Sequence, residues 1–365
     1  MIMLNLTKNK KDIKVIELLD KLKKTQKLSK EEYKYILDNI DVNSFDYLKT
    51  LSRDVTDLIY GKSVYLRGLI EMSNYCRCSC NYCGLRKENY EVIRYRLSED
   101  EILKSCKTGY ELGFKTFVMQ GGEDLFFSKE VLSRIISKIR VNFPDVAITL
   151  SIGERDYEDY KAFFDAGVNR FLLRHEAFST KLYKYLHPEP MSYENRIKCL
   201  NDLKEIGYQV GVGMMIGVPT QTNEDLAEDL MFITQFQPAM VGIGPYVNHK
   251  MTPFKDEQTG NALHTLVMLA LIRLIIPKTL IPATTALSTI DKESRIEALK
   301  LGANVVMPNL SPYSARVSYE IYEGKKIKGC EAVEDIDKTI KEIEKIGLKV
   351  DMSRGDTKME GYKCL

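Results

Sequence analysis

Hydrophobic residues follow one spacing along the first 60 residues of the chain and another spacing after them. The first apolar side chains recur every three or four positions: Ile13, Ile16, Leu19 and Leu22. This is the period of an amphipathic helix. Ser29 with Glu32 forms a capping box for a second helix, and Ser44 can cap a third helix that Gly61 would end. We therefore predict a helical N-terminal extension over residues 1–60.

Short apolar runs alternate with longer amphipathic stretches from Val64 onward. Eight runs have the character of buried strands: 64–71, 116–120, 147–151, 170–174, 209–216, 240–244, 280–283 and 304–307. Five stretches between them have helical periodicity: 98–112, 129–142, 156–166, 193–206 and 223–236. Strands that alternate with helices favour a parallel sheet, and eight strands over about 250 residues match a (β/α)8 barrel. A doubly wound open sheet is the rival fold, but no GxGxxG motif opens the first helix after Val64.

The predicted fold class is α/β: a complete (β/α)8 TIM-type barrel with an N-terminal helical extension and a short C-terminal helix and tail. We place the extension at residues 1–60, the barrel at 61–320 and the C-terminal part at 321–365. A last amphipathic helix near 332–346 is closed by Gly347. The last dozen residues have the composition of a polar tail.

Charge and hydropathy argue against several classes of protein. The 53 Lys and Arg residues balance 51 Asp and Glu residues, and the formal charge of +2 gives no case for nucleic acid or a membrane surface as a partner. The longest apolar stretch, 263–277, is interrupted by His264 and Arg273 and is too short to span a bilayer. The first residues lack the apolar segment of a signal peptide. We therefore expect a cytoplasmic protein.

Four of the eight cysteines lie close together, at Cys76, Cys78, Cys80 and Cys83. Such a cluster in a chain without an evident export signal indicates a metal site rather than a disulfide framework. Cys76, Cys80 and Cys83 have the spacing C-x3-C-x2-C directly after the first predicted strand, at the end of a barrel where active sites lie. Three cysteine ligands on a cluster of four irons leave one iron open for a substrate or cofactor.

Two other interpretations of these cysteines stay open on spacing alone. A structural zinc site would use Cys78 as its fourth ligand, although its alternation with Cys80 makes joint ligation awkward. A redox cluster would carry electrons only. We interpret Cys78 as a residue that is not a ligand. Cys106 and Cys199 lie in helical patterns and are expected to be packing residues.

Polar residues follow several of the other predicted strands. The Gly-Gly-Glu segment at 121–123 ends the second strand, where paired glycines allow a polar ligand to approach the backbone. Arg174 and Glu176 have the same parity at the end of the fourth strand, so both would point into the barrel mouth, whereas His175 would pack outside it. Adjacent hydroxyls that can hold an anion follow the seventh strand: Thr284 and Thr285.

The order of these motifs resembles the radical S-adenosylmethionine (SAM) superfamily and, within it, the HydE family of [FeFe]-hydrogenase maturases. The segments that carry the resemblance are Cys-Gly-Leu-Arg at 83–86, Arg-Tyr-Arg at 94–96, Gly-Gly-Glu-Asp at 121–124, Leu-Leu-Arg-His-Glu at 172–176, Glu-Asn-Arg at 194–196, Val-Gly-Ile-Gly-Pro at 241–245, Ile-Pro-Ala-Thr-Thr-Ala at 281–286 and Ala-Asn-Val-Val-Met-Pro-Asn at 303–309. The resemblance as a whole covers about residues 50–320. The resemblance implies that Cys76, Cys80 and Cys83 hold a [4Fe–4S] cluster with an open iron for SAM. It also implies that a 5′-deoxyadenosyl radical, formed by reductive cleavage of SAM, is used in building the diiron subcluster of the hydrogenase H-cluster.

The resemblance assigns roles to further residues. Those implied to bind SAM are Tyr82, Gly121, Gly122, Glu123, Thr149, Ser151, Glu176, Arg196 and Met215. Those implied to line a substrate or anion site are Arg174, Thr284 and Thr285. Tyr82 matches the aromatic residue that the superfamily places against adenine, and Arg196 is expected to bind the SAM carboxylate with two nitrogens.

Partners are also implied by the resemblance. The substrate would be an organometallic iron–cysteine complex supplied by a second maturase, HydG, and the product would pass to a scaffold GTPase, HydF. A methylornithine-synthase-like or biotin-synthase-like enzyme on the same barrel is the alternative. Some HydE proteins carry three further C-terminal cysteines for a second iron–sulfur cluster. Only Cys330 and Cys364 are present in that part of this chain, so we expect no second cluster.

Overall fold

Three helices form the N-terminal extension of the computed structural model, which describes residues 13–324 and 332–362. They are α1 Ile13–Thr25, α2 Lys30–Asn39 and α3 Val42–Tyr60. The capping box of α2, Ser29 with Glu32, is confirmed. The predicted start of α3 is wrong, because Asp41 caps the helix and Ser44 is its third residue. The Asp41 carboxylate accepts the Ser44 N–H at 2.8 Å, and the Ser44 hydroxyl accepts the Asp41 N–H at 2.8 Å.

Strands and helices alternate after this extension. The strands are β1 Ser63–Leu66, β2 Gly68–Ser73, β3 Thr116–Gly121, β4 Ala147–Ser151, β5 Arg170–Leu172, β6 Gln209–Val212, β7 Met215–Ile216, β8 Met240–Val241, β9 Gly244–Pro245, β10 Val305–Val306 and β11 Lys349–Asp351. The helices are α4 Glu99–Glu111, α5 Lys129–Asn142, α6 Tyr157–Asp165, α7 Thr180–Leu186, α8 Tyr193–Ile206, α9 Asn223–Phe236, α10 Ala262–Ile275, α11 Thr285–Ile290, α12 Ser294–Leu301, α13 Tyr313–Ser318 and α14 Ala332–Lys345.

Six strands form one parallel sheet in the order β2-β3-β4-β5-β6-β8. Every pairing in it is parallel, so the carboxyl ends of all six strands lie at the same edge. Two smaller parallel groups, β7-β9 and β10-β1-β11, accompany this sheet. The strands are almost entirely buried, as expected for a parallel sheet covered by helices.

The segment 280–283, which the hydrophobic pattern predicts to be a strand, forms only isolated bridges. Leu280 pairs with Met240, and Pro282 pairs with Val305. Pro282 has no N–H group, so it cannot complete a ladder of hydrogen bonds on both sides. The short helices α7, α11 and α13 and the strand β11 are not among the predicted elements, because each has seven or fewer residues and too few periods to produce a clear pattern.

The C-terminal segment after β11 packs beneath the amino ends of the strands. Its residues are polar, as predicted, but they do not extend into solvent as a tail. Arg170 donates to the Asp356 carboxylate at 2.6 Å, and Thr116 donates to the carbonyl of Arg354 at 2.8 Å. A Cβ atom on Gly355, at φ +55°, would lie 2.6 Å from the ring of Tyr65. The segment therefore closes the end of the sheet that lies opposite the cysteines.

The apolar stretch 263–277 forms α10, which packs against α3, α9, α12 and β9. Its burial on almost every side accounts for its uniformly apolar composition. Of the helices in the described part of the chain, none combines the length and the apolar character that crossing a bilayer requires.

Candidate functional site at the carboxyl ends of the strands

A single loop after β2 carries the clustered cysteines. Asn74, which is fully buried, fixes the base of this loop by donating to the carbonyls of Ile93 at 2.8 Å and Ser318 at 2.7 Å. The Cys76 sulfur accepts the backbone N–H of Cys78 at 3.4 Å and that of Glu123 at 3.3 Å. The backbone therefore directs partial positive charge toward one of the predicted ligands.

The cysteines of the loop differ in acidity. A hydrogen bond from the Cys78 thiol, aided by backbone N–H groups, lowers the pKa of Cys76 to about 7. Burial raises the pKa of Cys83 to about 12 and that of Cys80 well above its usual value. Cys78 is buried, and its sulfur lies 3.5 Å from a carboxylate oxygen of Glu123. Cys80 and Cys83 therefore ionise readily only when a cation shares their site.

The Gly-Gly-Glu segment packs directly against the cysteine loop. Gly122 donates its N–H to the carbonyl of Ser73 at 3.0 Å, and a Cβ atom on Gly122 would lie only 2.2 Å from the carbonyl oxygen of Tyr75. Only glycine fits this position. The Glu123 carboxylate is buried and accepts two bonds from Arg77, at 2.6 and 2.9 Å. Its charge is therefore already paired within the loop region.

Arg174 and Glu176 approach each other beyond the end of β5, as their shared parity predicts. Their closest nitrogen and oxygen atoms are 3.2 Å apart. His175 points the other way, and its ring bonds the buried Asp229 at 3.1 Å. Glu176 has a φ of +64°, which is unusual for a residue other than glycine, and its N–H donates to the carbonyl of Gly213 at 2.9 Å. With this left-handed backbone conformation at Glu176, the charged groups of Arg174 and Glu176 face the same space.

Two buried polar atoms in this region have no partner among the described residues: Arg174 Nε and Thr149 Oγ1. Arg174 Nη2 and Glu176 Oε2 form an ion pair with each other but make no hydrogen bond in the described part of the chain. Burial raises the pKa of Tyr82 and of Cys83, and the nearby charge of Glu176 adds to both shifts. Buried polar atoms without partners are costly, so they are expected where a ligand completes the site.

Arg196 is more constrained than the sequence suggests. Its Nε donates to Glu154 at 2.5 Å, and its Nη1 donates to the carbonyl of Arg174 at 2.5 Å. Glu154 also accepts from Asn195 at 2.6 Å. These bonds leave Nη2 and the second N–H of Nη1 for a ligand in the described part of the chain, so a fork would have to use the two Nη atoms and not Nε. Glu154 was not predicted as a site residue, although its position just after β4 is a signal that could have identified it.

Tyr82 and Met215 belong to one apolar wall of the site, since Tyr82 packs on a buried cluster that contains Met215. The Tyr82 hydroxyl lies 3.0 Å from Nε2 of His187, whose Nδ1 lies 3.0 Å from the Tyr183 carbonyl. Burial, helped by the positive charge of Arg196, lowers the pKa of His187 to about 3. His187 is therefore neutral. Its Nδ1–H donates a hydrogen bond to the Tyr183 carbonyl, and its Nε2 accepts a hydrogen bond from the Tyr82 hydroxyl.

The remaining predicted residues lie at the end of β4 and at the start of α11. Ser151 pairs with Gln120 in the sheet, beside Gly121. Thr284 donates to the Ile243 carbonyl at 3.3 Å, and the hydroxyls of Thr285 and Tyr322 are 2.8 Å apart. Tyr322, like the buried Tyr319 that accepts from Gln120 at 3.1 Å, was not predicted. Both tyrosines come from the segment after α13, where no sequence signal marks them.

Comparison with known proteins places this geometry in a family. A sequence profile of the Radical SAM superfamily matches residues 70–233, which contain the cysteine loop and the ends of the following strands. The HydE subunit of the [FeFe] hydrogenase maturase from Thermotoga maritima is 41% identical over 309 residues, covering 85% of this chain and 88% of the relative. This chain belongs to the HydE family. It is a radical SAM enzyme.

Two further comparisons, with more distant proteins, also span most of the chain. The 3-methylornithine synthase of Methanosarcina acetivorans is 28% identical over 88% of this HydE-family chain and 90% of the relative. The crystal structure of a methylornithine synthase superposes with a TM-score of 0.80 at 25% identity, covering 92% of this chain and 97% of that one. The similarity in fold therefore extends over nearly the whole molecule, whereas the higher sequence identity favours the HydE family.

Radical SAM enzymes hold a [4Fe–4S] cluster and SAM, and the residues of this HydE-family chain fit both. Thiolates are the usual ligands of iron–sulfur clusters, and two N–H donors already face the Cys76 sulfur. The Arg174–Glu176 ion pair, whose atoms make no hydrogen bond in the described part of the chain, presents a cation and an anion to a zwitterionic ligand. Within residues 13–324 and 332–362, no group of three His, Cys, Asp or Glu side chains is arranged around a single metal ion.

Proposed function

We propose that the chain cleaves SAM reductively and uses the resulting radical in maturation of the [FeFe]-hydrogenase H-cluster, in building its diiron subcluster. The observation that carries this proposal is the position of the three loop cysteines at the same end of the sheet as the buried Glu176, whose charge acts on Tyr82 and Cys83, and its ion-pair partner Arg174. When bound, a reduced [4Fe–4S] cluster supplies the electron that breaks the sulfonium bond of SAM. The protein's own residues bind and orient the reactants and keep water out.

We assign the cluster to Cys76, Cys80 and Cys83, with Cys78 outside the ligand set. The Cys78 backbone and thiol both interact with the sulfur of Cys76, a position suited to supporting a ligand. Glu176 and the free Nη2 of Arg196 are assigned to the amino-acid part of SAM. These two groups come from different elements, so they would hold the ligand at two separate points.

We assign the nucleoside part of SAM to the apolar wall. Tyr82 presents its ring with the hydroxyl held by neutral His187, and Met215 belongs to the cluster against which it packs. Gly121, Gly122 and Glu123 would bring backbone groups to the methionine moiety, with Thr149 and Ser151 beside them. The unpartnered hydroxyl of Thr149 supports its place in this set.

We infer that the strands close into a complete barrel, in which residues 280–283 take the place of the seventh strand. Backbone hydrogen bonds on both sides of that segment support this, from Val241 to the Leu280 carbonyl and from Ala283 to the Val305 carbonyl, each at 2.9 Å. Leu69 donates to the Pro308 carbonyl at 2.8 Å, which joins the last segment to β2. We likewise propose the barrel at residues 61–320, between the helical extension at 1–60 and the C-terminal part at 321–365.

The proposed substrate is a small organometallic iron–cysteine complex, and the proposed partners are the maturases HydG and HydF. Arg174, Thr284 and Thr285 are assigned to its anionic groups, because Nε of the guanidinium has no partner in the described part of the chain and the two hydroxyls stand at the start of α11. A methylornithine-synthase-like or biotin-synthase-like activity is the less supported alternative, at 28% identity or lower against 41%. Cys330 and Cys364 lie outside the described residues, and the expectation of no second cluster remains a prediction.

Anaerobic reconstitution tests the proposed function. The protein is loaded with iron and sulfide, reduced with dithionite and given SAM, and then iron per chain and 5′-deoxyadenosine are measured. About four irons per chain, as one [4Fe–4S] cluster requires, and SAM-dependent nucleoside formation are expected. Zinc in place of iron, or iron without nucleoside, would return the cysteines to a structural or electron-transfer role.

A further inference from the structure

Glu176 occupies the middle of a tight three-residue turn beyond the end of β5. The N–H of Ala177 donates to the carbonyl of His175 at 2.8 Å, which closes the turn around Glu176 with its φ of +64°. A three-residue turn with a positive φ at its centre is rare and strained. A residue other than glycine keeps such a conformation only where the surrounding structure holds it in place. The contacts around the turn therefore decide where the Glu176 carboxylate lies.

One carboxylate on α9 bonds both sides of this turn. Oδ1 of Asp229 accepts the backbone N–H of Phe178 at 2.7 Å and lies 3.1 Å from Nε2 of His175. With Oδ1 as the acceptor, Nε2 of His175 is the donor of the second bond. His175 comes directly before Glu176 and Phe178 comes two residues after it. Asp229 therefore holds the chain on either side of the residue with the strained backbone.

A neighbouring strand fixes the middle of the turn. The Glu176 N–H donates to the carbonyl of Gly213 at 2.9 Å, and Glu176 forms an isolated parallel bridge with Met214. A Cβ atom on Gly213 would lie 2.0 Å from the carbonyl oxygen of Gly242, so only glycine allows this approach. The turn is thus attached to the sheet through its backbone and to α9 through Asp229.

The His175–Asp229 pair lies where packing alone would favour apolar residues. Both side chains are completely buried. The ring centres of His175 and Phe178 each lie 4.8 Å from that of Phe232 on α9. Nδ1 of His175 and Oδ2 of Asp229 make no hydrogen bond in the described part of the chain. Because buried polar atoms without hydrogen bonds are costly, a well-packed apolar pair would serve the core at least as well.

The turn faces the proposed SAM site, whereas the His175 ring points away from it. Glu176 lies 3.2 Å from Arg174, and its charge acts on Tyr82 and Cys83. A carboxylate binds an ammonium group tightly only if it is already in position, because ordering the group on binding costs free energy. The cost of a buried polar pair behind the turn is therefore explained by the binding group that the turn presents.

We propose that Asp229 is a positioning residue that holds Glu176 in the conformation that binds the amino-acid part of SAM. It acts through its bonds to His175 and to the N–H of Phe178. The inference rests on the proposed function, since Glu176 is assigned to SAM there. Without Asp229 the strained turn relaxes, and the Glu176 carboxylate leaves the position from which it meets the ammonium group of the ligand.

Equilibrium dialysis of SAM against the reconstituted, oxidised full-length protein tests this role. In Asp229→Leu both bonds to the turn are lost, so we expect the Kd for SAM to rise about tenfold with unchanged iron per chain. With dithionite as reductant, the KM for SAM should rise in parallel. The kcat for 5′-deoxyadenosine should stay within about twofold of the wild type, because a group that holds SAM equally before and during cleavage contributes uniform binding.

Two further variants separate the hydrogen bonds from other effects of the substitution. Asp229→Asn keeps an oxygen that can accept both bonds, so its Kd for SAM should stay within about twofold of the wild type. His175→Phe keeps an aromatic ring against Phe232 but removes one of the two bonds, and we expect its Kd to rise about threefold. The graded series follows only if the bonds to the turn are the cause.

Asn169 provides a matched control at the amino end of β5. Its buried Oδ1 accepts the backbone N–H of Ile148 at 3.0 Å and a bond from Nη2 of Arg140 at 3.0 Å. Asn169→Leu therefore removes the same kinds of hydrogen bond from the opposite end of the strand. This variant should have a lower Tm, but its Kd for SAM should stay within about twofold of the wild type.

Three results would overturn the positioning role. The first is an unchanged Kd for SAM in Asp229→Leu or, if that variant does not fold, in His175→Phe. The second is a loss of iron and of the maximal rate at an unchanged KM, which would make the pair structural. The third is an Asp229→Asn variant as weak as Asp229→Leu. A wild-type protein that neither binds nor cleaves SAM would instead overturn the proposed function, and the positioning role with it.

Discussion

Arg170 and Arg174 stand at the two ends of β5 and have opposite environments. Arg170, at the amino end, is fully buried and bonds Gln209 and Thr116 as well as the C-terminal segment, including Asp356 at 2.6 Å. Arg174, beyond the carboxyl end, lies near Glu176, but its Nε and Nη2 have no hydrogen-bond partner in the described part of the chain. The same residue type is hydrogen-bonded to several segments at one end of β5, whereas beyond the other end it forms one ion pair and keeps Nε for a ligand.

The difference separates a stabilising end of the sheet from a binding end. A buried guanidinium with a carboxylate and carbonyl partners holds segments together, and loss of its anion is expensive. A partly exposed guanidinium that forms one ion pair and keeps an unpaired Nε can take a ligand as a further partner. Substitutions at the two ends should therefore affect different measurements.

Cys80→Ala should have the largest effect on function. Removing one of three proposed ligands should abolish both stable iron binding and 5′-deoxyadenosine formation, because the remaining thiols cannot hold the cluster alone. Iron per chain and nucleoside yield measure this, with circular dichroism as a check on folding. Cys106→Ala is the matched control, since Cys106 is buried in α4. Full activity in Cys80→Ala would refute the ligand assignment.

Asp356→Asn should have the largest effect on stability. It leaves Arg170 buried without its anion, so the free energy of unfolding should fall by about 3–5 kcal/mol at pH 7 while the iron content is unchanged. Burial alone would raise the pKa of Asp356, but Arg170, Arg354 and its hydrogen bonds together lower it. Denaturant unfolding of both proteins measures the difference, and a change below about 1 kcal/mol would contradict the role of this pair.

The difference in unfolding free energy between the wild type and Asp356→Asn should change with pH in a definite direction. Because the pKa of Asp356 is lower in the folded chain than in the unfolded one, its contribution to stability is complete above the unfolded value of about 4. The contribution is lost as pH falls through the folded value. The gap in stability between the wild type and Asp356→Asn should therefore close in acid, and a gap that persists there would exclude the ion pair as its cause.

Arg174→Met should lower activity and should reduce stability less than Arg170→Met does. Loss of a preorganised cation from a binding site typically costs about 10²-fold in rate, and the partly exposed Arg174 pairs with Glu176, whereas the fully buried Arg170 bonds several segments. Arg170→Met is the reciprocal variant, for which we expect reduced stability with iron and SAM binding retained. Parallel assays of SAM cleavage and thermal unfolding test both. The comparison between the two ends fails if the two variants have the same profile.

Tyr82→Phe should have the smallest effect. The substitution keeps the ring on its apolar wall but removes the hydroxyl that donates a hydrogen bond to His187. The loss of that hydrogen bond should cost about 1 kcal/mol of binding free energy. SAM affinity, measured by equilibrium binding, should weaken by about fivefold, and Tyr110→Phe on α4 serves as a control. A loss of several hundredfold would mean that the hydroxyl contacts the ligand itself.

Elements with a strong local pattern were predicted well. Helices α5, α8 and α9 have the predicted bounds, and so does β4, because their periodicity is complete within a few turns or alternations. The facing of Arg174 and Glu176 follows from strand parity, which is also local. The run 280–283, predicted as a strand, forms only isolated bridges, because its proline lacks a hydrogen-bond donor and a hydrophobic pattern does not register that lack.

Contacts between distant segments were not predicted. The bond of Arg170 to Asp356 spans 186 positions, and Tyr322 reaches Thr285 from a segment without a motif. Glu154 ties Arg196 in place across 42 positions, which reduces the part of the guanidinium available to a ligand. The sequence shows which residue type stands at each of these positions, but it does not show which distant residue will be its partner.

The amino-acid sequence by itself determined the alternation of strands and helices, the C-x3-C-x2-C loop and which side of a strand each polar residue takes, because these depend on neighbours a few positions apart. The tertiary structure decided which charged groups are already bonded and which remain available, and it turned a polar C-terminal segment into the closure of one end of the sheet. Hydrogen bonding in a buried site depends on atoms brought together from remote parts of the chain, and burial makes each missing partner costly.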